Sequence, residues 1–230
     1  MRLLFLCLLI SSAFAQTLEV ASVDISLSGE ISKIKNVTLD CSNSYQPSFQ
    51  SEINFTGSPA IYMSQYGKAS PREATAYTDG LATCSGVALL SKPYQDFVQG
   101  DLLLAHNWVD VQDLFQTTSS MMAHLESEEK NLEHAVFLIS YRGNNFVGRQ
   151  SGYTAAICSA GLKNPDAKIL LIRSFKQDDE SFNTYDNLEI KRLNAKTIQY
   201  NIERHNSAED IKKISVEYGL DSRSFETKIP

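Results

Sequence analysis

Apolar and polar positions alternate along much of the first third of the chain. Val23, Ile25 and Leu27 alternate with polar neighbours, and so do Val37, Leu39 and Cys41, the period-two signature of half-buried strands. Gly29-Glu30 and the stretch 42–47 supply turn chemistry between such runs. Residues 18–56 therefore read as β-structure, and 57–73, with Gly57, Pro59, Gly67 and Pro71, as a loop-rich passage. Ala74 to Thr78 is a short strand and Asp79-Gly80 a turn. Cys84–Leu90 and Asp101–His106, the latter with Leu102, Leu103 and Leu104 in sequence, are apolar runs, the pattern of strands buried on both faces.

Beyond residue 110 the period changes. Val111, Leu114, Phe115, Thr118, Met122 and Leu125 share one helical face behind Asp110, a good N-cap. His134–Tyr141 reads as a strand. Ser151 then caps a second helix with Tyr153, Ala156, Ile157 and Ala160 on one stripe, closed by Gly161 and Asn164-Pro165. Lys168–Ser174 is a further strand, 176–187 an acidic surface loop, and 188–203 a return to strand pattern in which Ile198, Tyr200 and Ile202 alternate. Ser207 and Asp210 open a third helix with Ile211, Ile214 and Tyr218 on one face and Gly219 at its end. This order predicts an α/β (α+β) fold of layered mixed β-sheets with flanking helices, in a single domain over residues 16–230.

The N-terminus predicts export. Met1-Arg2, the apolar run Leu3–Ile10 and the small-x-small triplet Ala13-Phe14-Ala15 form the three parts of a cleavable signal, residues 1–15. The run is too short to span a bilayer, which takes roughly 20 residues, so no stable membrane insertion is expected after cleavage. Losing Arg2 takes the formal net charge from -6 to -7. No Lys/Arg cluster offsets it, which argues against a nucleic-acid partner. Asn36-Val37-Thr38 and Asn54-Phe55-Thr56 match the glycosylation triplet of secreted proteins.

Cysteine usage sharpens the picture. Cys7 leaves with the signal, and Cys41, Cys84 and Cys158 remain. In an oxidising compartment two can pair and one is left over. The bland reading of the third is a buried structural thiol or a surface thiol that dimerises. Cys84 follows a turn rich in small residues, and His106 lies 22 residues later at the end of the Leu-rich strand. Were the two strands neighbours, imidazole and thiol would meet, and a nearby His lowers a thiol pKa and serves as base and acid in acyl transfer. His124, His134 and His205 show no metal-ligand spacing and read as surface or packing residues. Trp108 reads as core or groove, and Asp110 could back His106 as well as cap a helix.

Thr78-x-Gly80-Leu81-Ala82-Thr83-Cys84, then an apolar strand, then Leu104-Ala105-His106, resembles the signature of the chemotaxis receptor glutamine deamidases (the CheD family). Those carry a Thr-x-Gly-Leu-Gly-Ser-Cys turn and a Met-Ala-His segment. The catalytic domain of the cytotoxic necrotizing factors is similar in architecture. The resemblance covers residues 74–175 and is motif-grade over 78–106. It implies Cys84 as nucleophile, His106 as base and acid, and Thr78 as the residue that orients His106. It implies an oxyanion site from the amides around Thr83 and Ser85, no cofactor and no metal, and as partner a protein substrate bearing a reactive glutamine. Cys41 and Cys158 are then the natural disulfide pair. The chain departs from the pattern at Ala82 and Thr83, where the family has Gly and Ser. Its Cys-to-His interval is longer, and its signal marks an exported, toxin-like or envelope-directed protein. A secreted binding or adhesion module without catalysis, a peptidase and a transglutaminase are the competing classes.

Overall fold

Among the described residues, two β-sheets and two helices form three layers. The computed structural model describes residues 17–42, 53–69, 72, 74–94, 100–107, 111–142, 150–176, 184–205, 211–219 and 225–228. The strands are β1 (Thr17–Ile25), β2 (Ile31–Asp40), β3 (Asn54–Phe55), β4 (Ala60–Ile61), β5 (Gln65–Ala69), β6 (Thr75–Leu81), β7 (Ser85–Ser91) and β8 (Leu102–Asn107), followed by β9 (Leu132–Arg142), β10 (Lys168–Lys176), β11 (Tyr185–Asn194), β12 (Thr197–His205), β13 (Ile211–Gly219) and β14 (Phe225–Lys228). Helix α1 (Val111–Ser127) joins β8 to β9, and α2 (Gln150–Lys163) joins β9 to β10. One sheet has eight strands in the order β2-β1-β10-β9-β7-β8-β5-β3, the other six in the order β14-β13-β12-β11-β6-β4. Pairing is mixed: β1, β10 and β9 run parallel, while β9, β7 and β8 pair antiparallel.

The alternation of side chains explains the layering. Ala88, Leu90, Leu102, Leu104, Val136, Leu138 and Leu170 face the six-stranded sheet and pack with Leu188, Ile190, Ile202 and Val216. The intervening Val87, Leu89, Leu103, Phe137 and Ile139 face the opposite way and pack against Leu114, Met121, Met122, Tyr153 and Ile157 of the helices. The central strands of the larger sheet are thus covered on both faces, as their apolar runs require. Each fully buried aliphatic or aromatic side chain contributes roughly 1.5–3 kcal/mol of transfer free energy. A disulfide joins Cys41, just past β2, to Cys158 in α2, and so fastens the helical layer to the sheet edge.

Three sequence expectations change. Residues 211–219 are strand β13, not a helix. Ile214, Val216 and Tyr218 point inward at period two, while Ile211 is 50% exposed. The helical stripe 211/214/218 left Val216 unexplained. Pairing of Ile214, Val216 and Tyr218 with Ile202, Tyr200 and Ile198 of β12 decides the matter, because an apolar β-branched run beside an open strand gains both ladder bonds and burial. Ser207 and Asp210 lie outside the described residues, as do residues 1–16 with the signal segment. The acidic stretch 176–187 is not wholly surface loop: Asp186 on β11 is fully buried, and 177–183 lie outside the described residues. The loop-rich passage 57–73 contains β4 and β5.

Candidate active site

The site is built where the two sheets face each other at one end. On β6, Ala76 and Thr78 point inward and Tyr77 and Asp79 outward. Strict alternation would then turn Gly80 inward. Instead Thr78 pairs with Leu188 and Leu81 with Asp186, so β6 carries an extra residue against β11. The expected Asp79-Gly80 turn is therefore a β-bulge within a strand. Gly80 takes the left-handed conformation the bulge needs, at φ 74°, and its N–H donates to Asn187 Oδ1 at 3.0 Å. The bulge returns Leu81 to the core, and the chain reaches Cys84 through a short bend. Among the described residues only Ser64, Ala74 and Glu129 are left-handed without being glycine. Ala82 is not, so the bend accommodates an alanine where the deamidase signature has glycine.

Cys84 immediately precedes β7 and is 6% exposed. Its sulfur is not in the disulfide, which takes Cys41 and Cys158. Gly86 pairs with His106 across β7 and β8, and Cys84 lies two residues before Gly86 on the same face. Thiol and imidazole are thus diagonal neighbours on one face of an antiparallel pair, a relation that brings long side chains within reach. Gly86, on the same face, lets Leu188, Leu81 and Leu138 pack close against the strand. A Cβ there would stand 3.0 Å from Leu188 Cδ2, so a side chain would press on the opposite sheet.

Thr78 reaches across from the six-stranded sheet. Its Oγ1 lies 2.8 Å from the Ile61 carbonyl oxygen and 2.9 Å from His106 Nδ1. Hydrogen-bond accounting fixes the rest. A carbonyl only accepts, so the single hydroxyl proton goes to Ile61. The hydroxyl oxygen must then accept from His106, which places the imidazole proton on Nδ1 and leaves Nε2 as the basic nitrogen. The main chain holds His106 as well: the Ser64 N–H donates to its carbonyl at 2.9 Å, and β5 pairs Gln65 with it. Strands of both sheets therefore determine one ring orientation and one tautomer.

The other expected site residues separate. Thr83 is half-buried in the bend before β7. Ser85 is buried but shares the helix-side face of Val87 and Leu89, so only its main chain faces the thiol's surroundings. Trp108 and Asp110 lie outside the described residues. His134 is a packing residue at the far end of β9, as expected. It shares a 2.6 Å hydrogen bond with Tyr200 and stacks on Tyr218. Burial, helped by the positive Arg192, pushes its pKa down to about 3.

Sequence reading missed the polar residues beside this site. Ser140 on β9 and Ser174 on β10 face the six-stranded sheet, buried, and the fully buried Asp186 and Arg204 meet Ser174 from β11 and β12. Arg204 Nε donates to Asp186 Oδ1 at 2.9 Å, Ser174 donates to Asp186 Oδ2 at 2.6 Å, and Arg204 also bonds the carbonyls of Ser26 and Phe175. Isolated charged residues in alternating strands carry no signal that they will be buried together. A groove of about 460 Å³ on the outer face of the six-stranded sheet, lined by Tyr77, Asp79, Asn187, Glu189 and Asn201 among others, is a separate feature. One sheet thickness divides it from His106. Its side chains bond largely to one another, as Asn201 does to Glu189 and Ser215.

Among the described residues no three His, Cys, Asp or Glu side chains are grouped to hold a metal ion, and no helix is long and apolar enough to cross a membrane. No family model matches the chain, and no curated protein is significantly similar to it.

Proposed function

We propose that the protein is an exported protein-glutamine deamidase with Cys84 as nucleophile, His106 as general base and acid, and Thr78 as the group that sets the His106 tautomer. The observation that carries this reading is the Thr78–His106 Nδ1 hydrogen bond with Cys84 on the same face of the β7–β8 pair. A nucleophile, a base and an orienting group in series is the logic of activated acyl transfer.

In this reading His106 Nε2 takes the Cys84 proton. The thiolate attacks the side-chain carboxamide carbon, and main-chain amides around 83–85 hold the oxyanion. Collapse breaks the C–N bond. His106 returns the proton to the leaving nitrogen and ammonia departs, leaving a thioester. His106 then takes a proton from water, hydroxide cleaves the thioester, and glutamate and the thiol are restored. The Cys41–Cys158 disulfide is consistent with export, and the signal-like residues 1–15 fit the same destination.

The test is conversion of glutamine to glutamate, followed by peptide mass mapping, in proteins incubated with the mature parent, Cys84→Ser and His106→Ala. The reading expects conversion and ammonia release with the parent alone. Incorporation of an added amine in place of water would make the site a transglutaminase. A Cys84 thiol that labels only after denaturation, with no conversion in any substrate, would overturn the enzyme reading in favour of a secreted binding module, which the 6% exposure of Cys84 favours.

A further inference from the structure

The inward face of the eight-stranded sheet ends in a row of polar side chains. Ser85 pairs with Ile139 across β7 and β9. Cys84 lies just before β7, and continuing the antiparallel register one position past Ser85–Ile139 would place Ser140 opposite it. Ser140 is also the register partner of Ser174 on β10. It shares the face of Val136 and Leu138, is 2% exposed, and donates to the Leu81 carbonyl at 3.3 Å. Leu81 opens the four-residue passage that delivers Cys84. One buried hydroxyl therefore ties β9 to the segment that presents the thiol.

A serine hydroxyl has one proton, and it rotates to suit its surroundings. Beside a neutral thiol that proton serves the Leu81 carbonyl. Beside a thiolate it can turn to the sulfur, where a hydrogen bond to a charged acceptor is roughly twice as strong as a neutral one. Among the described residues, the ionisable groups facing the row are His106 on β8 and the Asp186–Arg204 pair on β11 and β12. That pair is already engaged with Ser174 and with the carbonyls of Ser26 and Phe175. Ser140 and His106 are then the neighbours able to answer a charge on Cys84.

We infer that Ser140 is a positioning residue of this site: its hydroxyl holds the 81–84 passage through the Leu81 carbonyl and stabilises the Cys84 thiolate when it forms. The inference rests on the Cys84–His106 reading above.

The experiment measures Cys84 alkylation across pH, with thermal melting in parallel, for the mature parent, His106→Ala, Ser140→Ala, Ser140→Thr and Ser174→Ala. Ser140→Ala is expected to slow alkylation on the acidic side about tenfold and to move the profile to higher pH. Ser140→Thr is expected to recover the profile, because the hydroxyl returns. Ser174→Ala removes a hydroxyl from the same row that serves Asp186 instead; it should lower the melting temperature and leave the profile in place. A purely structural Ser140 would behave like Ser174. The inference is overturned by a Ser140→Ala profile that overlays the parent, or by an equal displacement in Ser174→Ala. Should Ser140→Ala lose its melting transition, Ser140→Val, close in shape to Ser140→Thr and suited to a strand, is a second hydroxyl-free variant for the same comparison. A parent whose Cys84 shows no His106-dependent reactivity sinks the Cys–His reading and this inference with it. A parent that shows it while Ser140→Ala is unchanged sinks this inference alone.

Discussion

Thr78→Val removes one oxygen and keeps the branched shape. Two contacts go with it, the bond to the Ile61 carbonyl at 2.8 Å and the bond from His106 Nδ1 at 2.9 Å. Thr78 is 1% exposed and His106 4%, so water is poorly placed to replace either. A buried donor left without its acceptor costs about 1–3 kcal/mol. The imidazole can escape part of that cost by moving its proton to Nε2, but in the proposed mechanism Nε2 is the nitrogen that accepts the thiol proton. Stability and chemistry are thus coupled through one hydroxyl. Urea unfolding should show a lower midpoint with unchanged slope, equivalent to about 1–3 kcal/mol. Cys84 alkylation in mildly acidic buffer should slow at least tenfold, about 1.4 kcal/mol of lost preference for the reactive state. Thr78→Ser keeps the hydroxyl and should retain most of both. The reasoning is refuted if Thr78→Val loses stability while Cys84 keeps the parent's reactivity, since Thr78 would then only pack. It is equally refuted if Thr78→Ser is as impaired as Thr78→Val.

Other outcomes follow from the same accounting. His134 is neutral in the fold with its pKa near 3, against an ordinary value near 6.5. The unfolded chain therefore binds the extra proton between those values, and the stability this site contributes is fully present above about pH 6.5 and is lost as pH falls toward 3. Urea midpoints across that window should fall by the equivalent of a few kcal/mol, with a shallower slope in His134→Gln. The Cys41–Cys158 bridge spans a sequence separation of 117, and replacing both by Ser should cost about 2–5 kcal/mol; an unchanged melting temperature would show that the bridge constrains nothing. Arg204→Met leaves the fully buried Asp186 without its counter-charge and should cost about 3–5 kcal/mol, whereas Arg204→Met with Asp186→Leu should recover much of it. A double variant no better than the single would mean that the bonds to Ser26 and Phe175 matter more than the ion pair.

Much of the fold was legible because burial leaves a period. Two-sided burial of β7 and β8 shows as apolar runs, and α1 shows as a stripe at helical spacing. What failed did so for identifiable reasons. Residues 211–219 are short enough to satisfy both a helical stripe and an alternating strand, and only the open edge of β12 selects the strand. Asp79-Gly80 carries the same signal for a turn and for a bulge. Whether the strand continues depends on Asp186 and Leu188, more than a hundred residues away. At the candidate site, a local motif singles out Cys84, His106 and Thr78, and the Thr78–His106 bond between sheets is what only the structure contributes. Ser140 was not legible, because its meaning comes from a cross-strand neighbour and a carbonyl contact. Asp186 sits in an acidic stretch that reads as surface loop, and nothing local marks Arg204 as its buried partner.

The most direct test of the central claim is the alkylation rate of each thiol in the mature, unreduced protein across a pH series, located by mass spectrometry, with His106→Ala alongside. The account expects Cys84 alone to label in the folded protein, with reactivity persisting well below the usual thiol pKa of about 8.5 and lost on that side in His106→Ala. Labelling of Cys84 only after unfolding, or an identical profile in His106→Ala, would contradict it.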